Sequence, residues 1–197
     1  MEGEKVLRAF QIEKELWYRF IQKYGKGKAS AKLREFIRMD LKATPTFIRI
    51  HRDDLESLKA RIFSDDKPIQ LVGKVGIGKT TCVKRLIESD KEHIYIVFDC
   101  HNEYDFLPEI QLISFDLKES ARIRMPEQVS ASKGLFPVYH NQILSRKFPS
   151  NWVIVVEEAH RYKEMEELLK EGRKFVKLIA ICQKPIGDFC PVIEIVD

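Results

Sequence analysis

The segment Ile69-Gln70-Leu71-Val72-Gly73-Lys74-Val75-Gly76-Ile77-Gly78-Lys79-Thr80-Thr81 decides the fold. Its first four residues read as a short apolar strand, its glycines as a tight loop, and Val83, Leu86 and Ile87 beyond it as one face of a helix. Gly73 to Thr80 is GxxxxGK[ST] in the strand-loop-helix setting that this pattern requires. Such a loop works by converging backbone N–H groups on phosphate oxygens. That demands residues without Cβ at the tight turns and a helix N-terminus pointing at the anion. Gly73, Lys74, Val75, Gly76, Ile77, Gly78, Lys79, Thr80 and Thr81 are therefore the expected phosphate-binding residues. Lys79 would reach the β- and γ-phosphates as a point charge and the Thr80 hydroxyl would ligate Mg²⁺, so ATP or a close relative, with Mg²⁺, is the expected ligand.

A phosphate loop needs an acidic partner at the end of a neighbouring buried strand. Trp152-Val153-Ile154-Val155-Val156, followed by Glu157-Glu158, supplies it. Glu157 would hold Mg²⁺, directly or through water, and Glu158 would orient or deprotonate the attacking water as general base. Two more apolar runs complete a core. His93-Ile94-Tyr95-Ile96-Val97-Phe98 ends at Asp99-Cys100-His101-Asn102-Glu103-Tyr104, and Lys177-Leu178-Ile179-Ala180-Ile181-Cys182 ends at Gln183-Lys184-Pro185. Polar residues thus gather at strand C-termini, where open α/β sheets bind ligands. Gln183 is placed either to sense the γ-phosphate or the water, or to cap its strand.

The 197 residues, 44% of them hydrophobic, suffice for one α/β domain and a small appendage. The net charge of +4 is too mild to argue for nucleic acid, but its distribution is uneven. Up to Lys42 there are eleven Lys/Arg against six acids, so the excess of +5 is N-terminal and the remainder sums to −1. No apolar run approaches a membrane span and no signal-peptide pattern is present, which predicts a soluble, cytoplasmic protein with no membrane partner. Cys82, Cys100, Cys182 and Cys190 form no CxxC pair and read as reduced core thiols. The five histidines lack metal-ligand spacing.

Ahead of the loop, Val6 to Ile12 alternates as a strand, and a helix is expected from about Lys14 to Tyr24 with Leu16, Trp17, Phe20, Ile21 and Tyr24 on one face. It stops at Gly25-Lys26-Gly27, after which Ser30 can cap a second helix with Leu33, Phe36, Ile37 and Leu41 inward. A lone strand in so small a module favours an intertwined dimer. Residues 1–42 form this module and residues 43–48, with Pro45, the linker; residues 49–197 form the main domain, entered through a helix from about Asp53 to Phe63.

The N-terminal layout resembles the ribbon-helix-helix family, through the strand ending Phe10-Gln11-Ile12, the helix with Leu16 and Phe20, and Ala29 to Ile37. The resemblance implies a two-stranded ribbon in a DNA groove, with Leu7, Ala9 and Gln11 facing bases and Lys28 and Ser30 near the backbone. Residues from about Ile69 to Pro185 resemble the HerA/FtsK superfamily, particularly its HerA branch. The resemblance rests on Gly73 to Thr80, on Asp99 to Tyr104 as a counterpart of D-P-H-G-E-Y, on Val156 to Arg161, and on Glu171-Gly172-Arg173-Lys174-Phe175 leading into Cys182 to Pro185.

This second resemblance implies an α/β fold: a P-loop NTPase core, RecA/HerA-like, with a mainly parallel sheet. It also implies a hexameric ring, here carrying dimeric N-terminal modules, that moves double-stranded DNA with ATP bound between subunits. Arg173 matches the trans-acting finger, which would stabilise charge on a neighbouring subunit's transferring phosphoryl group. Cys100 and Asn102 depart from the pattern by replacing Pro and Gly, Ile77 by replacing a small loop residue. An ATP-dependent DNA translocase, for viral genome packaging or mobile-element transfer, is the function expected. An ATP-switched DNA-binding regulator or partition-like protein is the alternative.

Overall fold

The computed structural model describes residues 14–25, 28, 32 and 47–197, without the side chains of 14–17 and 173. The chain divides into two units, Met1–Thr44 and Pro45–Asp197. Within the first, α1 spans Lys14–Tyr24 and ends at Gly25, which takes φ 82° and so stops the helix. The Phe20 and Tyr24 rings pack at 4.8 Å on one side of α1. The expected strand at Val6–Ile12 and the Ser30-capped helix, and with them Leu7, Ala9, Gln11 and Ser30, lie outside the described residues. Lys28 is exposed, its N–H donating to the Gly25 carbonyl at 3.0 Å.

The second unit is an α/β fold around a seven-stranded, all-parallel sheet in the order β1-β7-β2-β6-β5-β3-β4. Its strands are β1 (Phe47–His51), β2 (Ile69–Val72), β3 (Ile94–Asp99), β4 (Ala121–Arg124), β5 (Trp152–Val156), β6 (Lys177–Cys182) and β7 (Val192–Val196). Its helices are α2 (Leu55–Ile62), α3 (Lys79–Ser89), α4 (Val129–Leu144) and α5 (Met165–Glu171). β1 takes in Phe47 and Ile48, which the sequence reading places in the linker. α2 is shorter than the expected helix because Asp54 caps it, accepting from Ser57 N–H at 3.0 Å.

Period-2 alternation sends the strand residues to two cores. Tyr95, Val97, Val153, Val155, Ile179 and Ile181 pack with Leu58 and Ile62 of α2 and with Cys82, Val83, Leu86 and Ile87 of α3. Ile96, Phe98, Ile154, Val156, Leu178 and Ala180 pack on the other face with Phe136, Tyr139 and Ile143 of α4 and with Met165, Leu168 and Leu169 of α5. Covered on both faces, β5 is buried throughout, which is why it reads as a continuous apolar run.

Parallel strands bring all their C-termini to one sheet edge. β6 pairs with β2 on one side and β5 on the other, so it stands between the phosphate-loop strand and the acidic strand. α3 is anchored at its far end by Asp90, whose buried carboxylate accepts from Tyr95 Oη at 2.6 Å and Lys59 Nζ at 3.2 Å. All four cysteines are buried and free.

Candidate active site

Two glycines set the shape of the loop. Gly73 follows β2 so closely that a Cβ would stand 3.0 Å from the Ile195 carbonyl oxygen and 3.0 Å from Ile77 Cγ2. Gly78 caps α3 at φ 96°, a left-handed conformation that L side chains disfavour. Lys79 opens the helix, and its ammonium folds back over the loop, donating to the carbonyls of Gly73 and Lys74 at 2.9 Å each. Val75 projects from the loop, 77% exposed.

A cleft of about 330 Å³ lies against this loop. Val75, Gly76, Gly78, Lys79, Thr80 and Thr81 line one side. His101 and Glu103 beyond β3, Glu157 and Glu158 beyond β5, and Ile181 with the exposed Gln183 at the end of β6 line the rest. The ends of three neighbouring strands, β6, β5 and β3, therefore meet the loop that follows β2. Arg173 lies in a 3₁₀ turn, Gly172–Lys174, and its side chain is outside the described residues.

Glu157 is only 5% exposed, and burial pushes its carboxyl up to about 7. Hydrogen bonds from Tyr104 and Thr80 work against that rise, while the nearby charges of Glu103 and Glu158 add to it. Tyr104 Oη donates to Glu157 Oε1 at 2.5 Å, and burial beside this carboxylate raises the phenol well above its ordinary range.

Glu158 occupies the left-handed region at φ 48°, ψ 38°, a strained conformation for a non-glycine residue of order 1 kcal/mol or more. Its carboxylate stands 3.4 Å from His160 Nε2 and 3.7 Å from Arg161 Nε. Arg161 Nη2 in turn approaches His101 Nε2 at 3.3 Å, tying the acidic turn to the loop after β3.

Asp99 organises that loop. Its carboxylate accepts the N–H groups of His101 at 3.3 Å, Glu103 at 3.0 Å and Tyr104 at 3.0 Å, and Arg122 Nη1 pairs with it at 3.3 Å. Asn102 sits between them at φ 57°, where asparagine is the most tolerated residue after glycine. Its side-chain oxygen accepts from Arg122 Nη1 at 2.6 Å. Asn102 is thus accommodated in the left-handed region and held there by Arg122.

The donor set suits a magnesium nucleotide. Glycine-lined backbone, one ammonium and a helix N-terminus carrying Thr80 share the cleft with a buried carboxylate whose ionised form is expensive without a cation. A family profile described as AAA domain matches residues 60–187. The chain belongs to the AAA domain family. It carries an AAA-type P-loop NTPase domain, for which nucleotide binding and NTPase activity are the implied chemistry.

Over 127 residues this AAA domain chain is 27% identical to the tRNA modification GTPase MnmE of Mycoplasmopsis pulmonis (strain UAB CTIP), an alignment covering 62% of this chain and 28% of that protein. The chain therefore spans 28% of the length of that curated relative. No solved structure matches it significantly. Among the described residues, no helix is long and apolar enough to cross a membrane.

His101 and Glu103 are cleft residues to which the sequence reading gives no role of their own, and Tyr104, outside the lining, reaches the cleft through Glu157. Their signals in the sequence are a polar run directly after a buried strand and their place in the Asp99 to Tyr104 resemblance.

Proposed function

We propose that this AAA domain hydrolyses ATP to move double-stranded DNA, as a HerA-like motor working in an oligomeric ring with ATP between subunits. The observation that carries this reading is the cleft itself. Residues of three motifs that resemble the HerA branch, His101 with Glu103, Glu157 with Glu158, and Gln183, line it together with the phosphate loop. The N-terminal charge excess of +5 adds the electrostatic attraction that a DNA partner needs.

In this reading the loop N–H groups and Lys79 bind the phosphate tail, and Thr80 with Glu157 hold Mg²⁺. When bound, the metal neutralises charge on the β- and γ-phosphate oxygens. Glu158 accepts the proton of the attacking water, held toward the cleft by its left-handed backbone and by His160 and Arg161. Gln183 orients that water from the end of β6. Arg173, on its turn after α5, serves a neighbouring subunit's site.

Directional movement is testable with a DNA triplex. The purified chain with ATP should strip a third strand from the end of a linear duplex, and should fail with a non-hydrolysable analogue. ATP turnover without displacement, together with tight site-specific DNA binding, would replace the motor by an ATP-switched regulator. Turnover of GTP in strong preference to ATP would instead favour an activity like that named for the MnmE relative.

A further inference from the structure

Tyr104 is fully buried, yet it carries the one phenol that reaches the acidic pair: its Oη donates to Glu157 Oε1 at 2.5 Å. A buried hydroxyl is expensive unless paired, so a residue needed only for volume at this position would be phenylalanine. The ring is held from behind. Asp99 accepts the Tyr104 N–H at 3.0 Å and the Glu103 N–H at 3.0 Å, and Arg122 fixes Asp99 at 3.3 Å and Asn102 at 2.6 Å. Asp99, Asn102 and Arg122 thus fix the loop from which Tyr104 directs one hydroxyl onto one carboxylate oxygen.

We infer that Tyr104 is a positioning residue for the magnesium site, locking the Glu157 carboxylate by one oxygen so that the other is presented to the cation beside Thr80. This rests on the reading of Glu157 as a magnesium ligand. Carboxylates with two free rotameric oxygens lose entropy when they take up a metal, and a fixed outer partner removes that cost in advance. Outer partners of metal ligands typically contribute about 10- to 100-fold in metal affinity. Tyr104 does not itself line the cleft and reaches it through Glu157, so the metal-free nucleotide is expected to be insensitive to the phenol.

The test uses the full chain, Tyr104→Phe and Glu157→Gln. Fluorescent ATP binding is measured in EDTA and then titrated with MgCl₂, and hydrolysis is followed over the same titration. Tyr104→Phe should bind the metal-free nucleotide as the wild type does, while its half-saturating Mg²⁺ concentration rises about 10-fold. An unchanged Mg²⁺ midpoint, with Glu157→Gln losing the metal response, would overturn the role of Tyr104 alone. Equal losses of metal-free and metal-supported binding would also overturn it, by making the phenol a general support of the cleft. A Glu157→Gln variant with a normal Mg²⁺ midpoint would instead remove the underlying reading of Glu157.

Discussion

Glu158→Gln should lose ATP hydrolysis by about 100-fold or more while retaining nucleotide affinity, because general base catalysis contributes about 10²- to 10⁴-fold. The substitution is nearly isosteric. It leaves the left-handed backbone at φ 48° as it is, and a neutral amide can still take up the neighbourhood of His160 and Arg161. What it removes is the capacity to accept a proton. Single-turnover hydrolysis and fluorescent nucleotide binding, measured side by side, separate the two effects. Wild-type turnover in this variant would reject Glu158 as the base and move attention to Glu103, the carboxylate beyond β3 that lines the same cleft.

The second large effect has opposite signs in stability and function. Burial holds the folded pKa of Glu157 at about 7, above the ordinary 4.5. A group raised in this way contributes its stability below pH 4.5 and loses it as the pH climbs through 7, since the folded state then carries a buried anion. A shift of that size corresponds to roughly 3 kcal/mol.

Glu157→Gln keeps an oxygen for the Tyr104 hydroxyl and removes the anion. In EDTA, its melting temperature should exceed that of the wild type by several degrees at pH 8, with the gap closing toward pH 5. The same variant should lose Mg²⁺-supported hydrolysis by about 100-fold, because the metal's charge stabilisation is worth several kcal/mol. Thermal scans of both proteins from pH 5 to 8 read the first part; a gap that does not vary with pH would mean that the carboxylate is ionised without cost.

Much of this site is legible in the sequence because its residues sit in short runs with strong local signals. Gly73 to Thr80 announces its loop by glycine spacing, and Glu157-Glu158 follows five buried apolar residues. Gln183 is found by the same rule at the end of β6. The contact between Tyr104 and Glu157 spans 53 positions and exists only because β3 and β5 are neighbours, so strand order had to be known first.

Other elements are hidden for local reasons. β4 is the four residues Ala-Arg-Ile-Arg at a sheet edge, too short for periodicity to stand out. α4 carries Pro137 inside it, which removes a backbone donor, and its buried Ser132 and His140 interrupt the apolar face. β1 and β7 pair in parallel across most of the chain's length, with Phe47 opposite Val192, so neither strand signals the other locally. Those two strands extend the sheet past β2, and through Ile195 they close on Gly73 at the loop's base.

The most direct test of the motor reading is the rate of ATP hydrolysis by the purified chain, with Mg²⁺, with and without linear double-stranded DNA, at low and moderate salt. Hydrolysis that rises on adding DNA, with the stimulation shrinking as salt screens the phosphate contacts, is the predicted result. A Mg²⁺-dependent rate that DNA leaves unmoved at either salt would contradict it, leaving an AAA NTPase whose work is done on something other than DNA.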